Sequence, residues 1–411
     1  MAKIRPFRAV RPARDKEAQV TSRSYERYTK HELEATLTGN PMSFLHIIQP
    51  GFKLPEKVTG QHRFDLVREQ YREFLDREIL IRDEKPSFYV YRMIKENFSC
   101  LGFFCATSTE DYENNIIRKH EDTLLRRETL FASYLKVVRF NAEPVLMTYP
   151  DNMEIAGILQ ETSEDKPQCD FKSPDGVQHL LWVVDDPGKI RQLQEAAKEI
   201  KSLYIADGHH RSASSCRLAR ELSELNPEHK GNEAYNYFMS YLVPESEVRI
   251  YEFNRMVRGL NGHSAGAVLE LLDEHFKVEN KGTAVIKPGQ KHQFSMYLQG
   301  NFYLLTLRED KYNFSDPLSS LDSHILKTLV LDPILGIRDL RNDKRIQYGY
   351  GKENTALMKQ EVDKGNFSLG FGMLPITVDE LKAVADAGLV MPPKSTYIEP
   401  KLRSGFTVYE L

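Results

Sequence analysis

The sequence holds little cysteine and almost no tryptophan: four of the first and one of the second in 411 residues. Cys100, Cys105, Cys169 and Cys216 form no Cys-x-x-Cys pair, which speaks against a zinc ribbon. Their scatter suits a reducing compartment, with a single bridge left open. No apolar run is long enough for a membrane helix, and the start, Met1-Ala2-Lys3-Ile4-Arg5-Pro6, has no apolar signal segment. These absences predict a cytoplasmic protein without membrane contact. There is no excess of either charge, with Lys+Arg 56 against Asp+Glu 59 and a formal net charge of -3. A general nucleic-acid binder should show a basic surplus. The Gly-x-x-x-x-Gly-Lys-Ser/Thr pattern is missing, which excludes a P-loop enzyme. No internal repeat or long low-complexity linker is evident.

What is present is an ordinary globular composition, 41% hydrophobic and 28% charged. The length admits two or three domains. One stretch organises the chain: Leu203-Tyr204-Ile205-Ala206-Asp207-Gly208-His209-His210-Arg211-Ser212. The apolar run to Ala206 is of strand type, and Asp-Gly is a turn signal. From about Arg211 to Leu225, Ala213, Cys216, Leu218, Ala219 and Leu222 have helical spacing. Strand, tight turn and helix follow in that order. At a helix start the N–H groups and the dipole favour an anion. Gly208 allows positive φ or close approach of a ligand. Arg211 can fork onto phosphate oxygens, and His209, His210 and Ser212 can donate to them. Asp207 could orient a hydroxyl or hold a metal ion. The bland alternative is that Asp207 caps the helix and the His-His-Arg group is merely solvated.

Three other stretches carry candidate chemistry. Residues 117–127 read as the lead into a helix, with His120, Thr123 and Arg127 near one face. A His120–Glu121 pair with Thr123 and Arg127 one turn on could bind a metal–phosphate group. A charged helix with salt bridges is the competing reading, because the second-ligand spacing of a zinc helix is absent. The closing Met391-Pro392-Pro393-Lys394-Ser395-Thr396, continuing to Lys401, is extended because of its prolines. Lys394, Ser395, Thr396 and Lys401 offer cationic and hydroxyl donors, though such a segment is usually a surface tail. Arg5, Arg8, Arg11 and Arg14 form either an anion-binding edge or a solvated basic arm.

Elsewhere, Phe44–Ile48 reads as a strand, 62–82 as an amphipathic helix, and 88–94 with 100–104 as a hairpin. Residues 141–149 read as a strand, followed by a hairpin region ending at Val184. A helix around 190–200 and a buried strand over 237–243 complete the middle. A further helix near 268–272, a hairpin over 293–307 and helices over 322–331 and 353–364 follow. The prediction is an α/β (α+β) fold: a mixed sheet with flanking helices over 1–250, and a second α+β unit over 251–411 with an extended C-terminal tail.

Several of these stretches together resemble a bacterial family known as domain of unknown function 1015. They are Ile4-Arg5-Pro6-Phe7-Arg8-Ala9, Asn40-Pro41 through Phe44-Leu45-His46, His120-Glu121 with Thr123, the Asp207–Arg211 core, and the Met391–Thr396 end. Two departures stand out. The family's Pro-Pro-Tyr-Asp-Val type stretch is replaced by Val20-Thr21-Ser22-Arg23-Ser24-Tyr25, and its Arg-Tyr pair reads Arg211-Ser212. The Asp-Gly-His-His-Arg core also resembles the site element of ParB/sulfiredoxin-like proteins that act as free serine kinases. The resemblance implies a small-molecule phosphotransferase working between serine or phosphoserine and an adenine nucleotide (ADP/AMP or ATP), its direction open among kinase, reverse transferase and phosphatase. Asp207 and Glu121 would be its catalytic carboxylates and the ligands of a Mg2+ ion. Gly208, His209, His210, Arg211, Ser212, His120, Thr123, Arg127, Lys394, Ser395 and Thr396 would bind phosphate or nucleotide. Two other classes stay open: a ParB-like nucleotide-dependent regulator that binds DNA, and a metal-dependent hydrolase on His120, Glu121, Asp207, His209 and His210. Oligomeric state, a homodimer included, is not set by the sequence.

Overall fold

A computed structural model describes residues 1–53, 58–350 and 354–411. The chain folds as a mixed α/β protein with two compact units. The first comprises 1–118, 122–248 and 400–411; the second comprises 119–121 and 249–399. The closing residues 400–411, read from sequence as the tail of the later unit, thus run in the first.

The first unit is built on a nine-stranded mixed sheet. Its strands are β1 (Ile4–Arg5), β2 (Phe88–Lys95), β3 (Phe98–Ser108), β4 (Ile117–Arg118), β5 (Val145–Tyr149), β6 (Cys169–Lys172), β7 (Gln178–Val184), β8 (Leu203–Asp207) and β9 (Tyr237–Pro244). The order across the sheet is β4-β8-β5-β9-β3-β2-β7-β6, with β1 paired to β3. β8 runs parallel to β4 and antiparallel to β5, and β5 and β9 are parallel. Apolar residues of β5 and β8 such as Val145, Met147, Leu203 and Ile205 are buried in one core with Trp182 and Leu193. Helices α1 (Gly60–Asp76) and α2 (Leu125–Val138) pack on each other, while α3 (Met153–Glu164), α4 (Pro187–Lys198) and α5 (His209–Leu225) flank the sheet, with α5 also against α2. All four cysteines are free and buried.

The second unit holds a six-stranded antiparallel sheet: β10 (Phe253–Val257), β11 (Phe276–Gly282), β12 (Gln293–Leu298), β13 (Asn301–Leu307), β14 (Ile346–Tyr350) and β15 (Leu369–Gly372), in the order β11-β13-β12-β15-β10-β14. The expected hairpin is β12–β13.

Several local expectations fail for identifiable reasons. Phe44–Ile48 is not a strand: Leu45–Ile48 is a short helix. A brief apolar run fits either element once it is buried on all sides. The helix read over 62–82 ends at Asp76, where Glu78 takes φ +50 and the chain returns as strand Leu80–Arg82. The hairpin region after Tyr149 begins with α3, whose first turn is capped by the Asn152 side chain. The helix expected to carry His120 and Thr123 starts only at Leu125. Ile117–Arg118 is instead drawn into the sheet beside β8. His120, Thr123 and Arg127 therefore share no helix face. The Met391–Thr396 segment is neither fully extended nor a surface tail: it turns at Pro393–Lys394, and Met391, Pro392 and Ser395 are buried. Arg11 is no solvated arm: its guanidinium meets both Asp83 oxygens, at 2.8 and 2.6 Å. Of the helix read over 353–364, Asn354–Asp363 is observed and Glu353 lies outside the described residues. Among the described residues no helix is long and apolar enough to cross a membrane.

A buried polar chain crosses the far side of the first sheet. The Ser173 hydroxyl donates to Asp175 Oδ1 at 2.6 Å and meets His179 Nε2 at 3.0 Å. His179 Nδ1 meets the Tyr91 hydroxyl at 2.7 Å. Burial, with the Arg403 charge beside it, pushes the His179 ring down to about 3. The unfolded chain protonates this ring near pH 6.5, and the folded chain does not. Stability should therefore be full above pH 6.5 and fall by about 1.4 kcal/mol per pH unit on the way to pH 3. Urea midpoints measured between pH 4 and 7 should fall less steeply for His179→Gln; parallel profiles would mean the ring does not govern this slope.

Candidate functional site

β8 delivers Asp207 to the end of the sheet, and its register against β5 shifts between Ile205 and Asp207. A bulge at that point turns the last side chain away from the regular alternation. Gly208 follows at φ +107 and is the N-cap of α5, with no side-chain cap. Asp207 therefore does not cap the helix. A side chain at Gly208 would be strained by that φ and would crowd the Arg211 guanidinium at 3.0 to 3.1 Å. α5 buries Ala213, Cys216, Leu218 and Ala219, while the hydroxyls of Ser212, Ser214 and Ser215 bond back to carbonyls of its first turns. The buried apolar face packs this helix against the sheet.

Two cations meet the carboxylate. Lys401 Nζ donates to Asp207 Oδ2 at 2.8 Å, and Arg211 Nη2 lies 3.6 Å from Oδ1. Burial alone would push the Asp207 carboxyl up; Lys401 and Arg211 outweigh it and hold the group well below the usual carboxylate range. The side chain keeps 38% exposure, and those of Lys401 and Arg211 keep 25% and 33%. A ligand can therefore reach all three. Arg211 is further fixed by donating to the Pro144 carbonyl at 2.6 Å, with Glu143 Oε2 3.6 Å from it. Glu143 in turn accepts from the Ser404 hydroxyl at 2.5 Å.

The segment bearing Lys401 is anchored by Arg403, whose side chain is 7% exposed. Its guanidinium donates to the Thr21 hydroxyl and carbonyl at 3.0 and 2.9 Å and to Asp175 at 3.3 Å. Ser22 and Ser404 exchange backbone hydrogen bonds. The Val20–Tyr25 stretch, which departs from the family pattern, thus holds the Lys401 segment in place.

Asp207, Gly208, His209, His210 and Arg211 lie together at this helix start. Ser212 does not serve it: the residue is fully buried, and its hydroxyl donates to the His209 carbonyl. Thr123 lies before α2 and is hydrogen-bonded to Glu128, and Arg127 is exposed on the first turn of α2. His120, Glu121, Lys394, Ser395 and Thr396 belong to the second unit. There the His120 carbonyl accepts from the Met391 N–H at 2.9 Å, and Ser395 donates to Ser323 at 2.9 Å and to the Pro392 carbonyl at 2.7 Å. Lys394 takes φ +59, and its carbonyl accepts from Arg255 at 3.2 Å. Sequence reasoning named Lys401 only as a donor in the tail and missed Glu143 and Arg403. No local pattern marks them, because each acts across the fold.

Among the described residues, no group of three or more His, Cys, Asp or Glu side chains is placed to hold a metal ion. The Asp207 carboxylate faces two cations rather than further acids. With one oxygen held by Lys401 and the other facing Arg211, Asp207 is not arranged as the Mg2+ ligand expected of it.

The chain is a mixed α/β protein in which a strand ends at Asp207 and passes through Gly208 into a helix. The chain belongs to the family described as "Protein of unknown function (DUF1015)", which matches residues 4–324. Among curated proteins, none matches the sequence. Solved structures similar to the chain include a free serine kinase in complex with AMP, with 14% identity over 74% of this chain and 91% of that one and a TM-score of 0.35. They also include a conserved hypothetical protein from Pyrococcus furiosus, with 15% identity over 74% and 92% and a TM-score of 0.33. A third is SbnI with C-terminal truncation from Staphylococcus aureus, with 12% identity over 74% and 85% and a TM-score of 0.38.

Because the folded carboxyl is held down, Asp207 contributes stability that is complete above about pH 4 and is lost as pH falls further. Asp207→Asn should therefore melt lower than the parent at pH 7, where Lys401 and Arg211 lose their partner. The gap should be narrower at pH 3 than at pH 7 and close only further down, as the folded carboxyl itself takes up its proton. Thermal melts at both pH values check this, and an equal gap at both would remove the ion pairs as its cause.

Proposed function

We propose that the Asp207 loop is a phosphoryl-transfer site that works between the hydroxyl of free serine, or the phosphate of phosphoserine, and an adenine nucleotide. The observation that carries this reading is the ionised Asp207 between Lys401 and Arg211 at the open start of α5. Phosphoryl transfer needs an in-line hydroxyl and charge compensation on the transferred oxygens, with little covalent help from the protein. A carboxylate held this low is a weak base that stays a charged acceptor. It would orient the serine hydroxyl rather than deprotonate it in advance. Arg211 and Lys401 would share their charge between Asp207 and the phosphoryl oxygens. The first-turn N–H groups, which lie outside the intrahelical ladder, would complete the cradle. His209 and His210 stand at the same helix start. Serine and adenine are supplied by the family resemblance; the charge arrangement supports the phosphate chemistry.

Phosphorus NMR of the protein with phosphoserine in magnesium buffer, with and without AMP, ADP and ATP, tests this. The expected result is phosphoserine consumed only with AMP or ADP, while a larger nucleotide appears. Inorganic phosphate without nucleotide would make the protein a phosphatase. No change in any tube would take serine out. Asp207→Asn should abolish this turnover while nucleotide affinity stays near the parent value. Arg211→Ala should instead weaken the phosphate ligand by about 1.5–3 kcal/mol. Unchanged turnover in the first variant, or unchanged affinity in the second, would remove that residue from the mechanism.

A further inference from the structure

The first unit contains a cavity of about 330 Å³ formed where the N-terminal strand meets the chain's last residues. It is lined by Arg5, Arg8 and Arg82, by Glu410, and by apolar walls that include Pro86 and Tyr409. It shares no residue with the Asp207 loop. Two of its guanidinium groups are locked in place. Arg5 donates to the Asn232 carbonyl and the Tyr409 hydroxyl, each at 2.7 Å, and lies 3.6 Å over the Tyr237 ring. Arg82 grips both Glu410 oxygens at 2.6 and 2.7 Å, and the Tyr71 hydroxyl donates to the same carboxylate at 3.1 Å. Arg8 is exposed at the rim.

Three guanidinium groups face one carboxylate here, which leaves a charge of +2 in a concave site. A concavity concentrates that field. Its size is at the lower end of small-ligand pockets, roughly 300–1,000 Å³. We propose that this cavity is a second ligand site, for a small molecule bearing a phosphate monoester. Such a group carries a charge of about −1.5 to −2 at pH 7, which matches the surplus. A single carboxylate would leave one positive charge unmet. Arg82 is filled by Glu410, so Arg8 and the remaining N–H groups of Arg5 would meet the phosphate oxygens, and the apolar walls give the rest of the molecule a surface to lie on. The Arg5 and Arg8 pair therefore forms an anion-binding edge rather than a solvated arm.

The test is calorimetric titration of inorganic phosphate, phosphoserine and AMP into the full-length protein carrying Arg211→Ala, which weakens the Asp207 loop. At least one probe should bind one per chain in that background. Adding Arg8→Gln, an exposed position, should weaken it by roughly tenfold or more. Arg14→Gln, exposed in the same N-terminal stretch, should leave it unchanged. Equal affinity for all three probes means that the phosphate group alone is read; tighter AMP or phosphoserine names the source. No binding in the Arg211→Ala protein, no effect of Arg8→Gln, or an equal loss with Arg14→Gln would each overturn the proposal.

Discussion

The charge on Asp207 is kept by two cations, one near in the chain and one far. Arg211 comes from one turn further along the helix, and Lys401 from 194 residues away. A carboxylate partly withdrawn from water would otherwise drift toward its neutral form. The exposed share of these side chains means that the pairs contribute only about 1 kcal/mol or less to stability. Their consequence is electrostatic: an ionised acid and two cations stand within reach of one another at a helix start.

That arrangement depends on how the ends of the chain are fastened. Arg403, buried against Thr21 and Asp175, fixes the backbone that carries Lys401. The N-terminal strand and the last residues meet again around Arg5, Tyr409 and Glu410. Each of these two clusters thus takes in residues from an end of the chain. Changes near either end of the chain therefore act on this unit, not on a dispensable tail.

Elements governed by near neighbours were legible in advance. The strand, glycine and helix over 203–225 follow from an apolar run, a turn signal and helical spacing, and the observed helix starts two residues before the expected Arg211. The hairpin of β2 and β3 and that of β12 and β13 are read in the same way. The reading failed where burial decided between similar local preferences. Leu45–Ile48 is apolar enough for a strand but is buried as a helix. Residues 119–124 carry helix-compatible side chains, yet the preceding strand fixes Ile117 and Arg118 to the sheet and delays the helix to Leu125.

The sequence by itself determined the mixed α/β character, the Asp-Gly-His-His-Arg turn and the family. These follow from hydrophobic period, turn chemistry and contiguous motifs, all of which act over a few residues. Only the tertiary structure decided which charged groups meet. It brought Lys401 to Asp207 and Glu143 to Arg211, turned the Ser212 hydroxyl into its own helix, and assigned His120, Glu121 and Lys394 to the other compact unit. Charge pairing depends on separation in space and on how much water lies between. Neither is written in the local pattern of side chains.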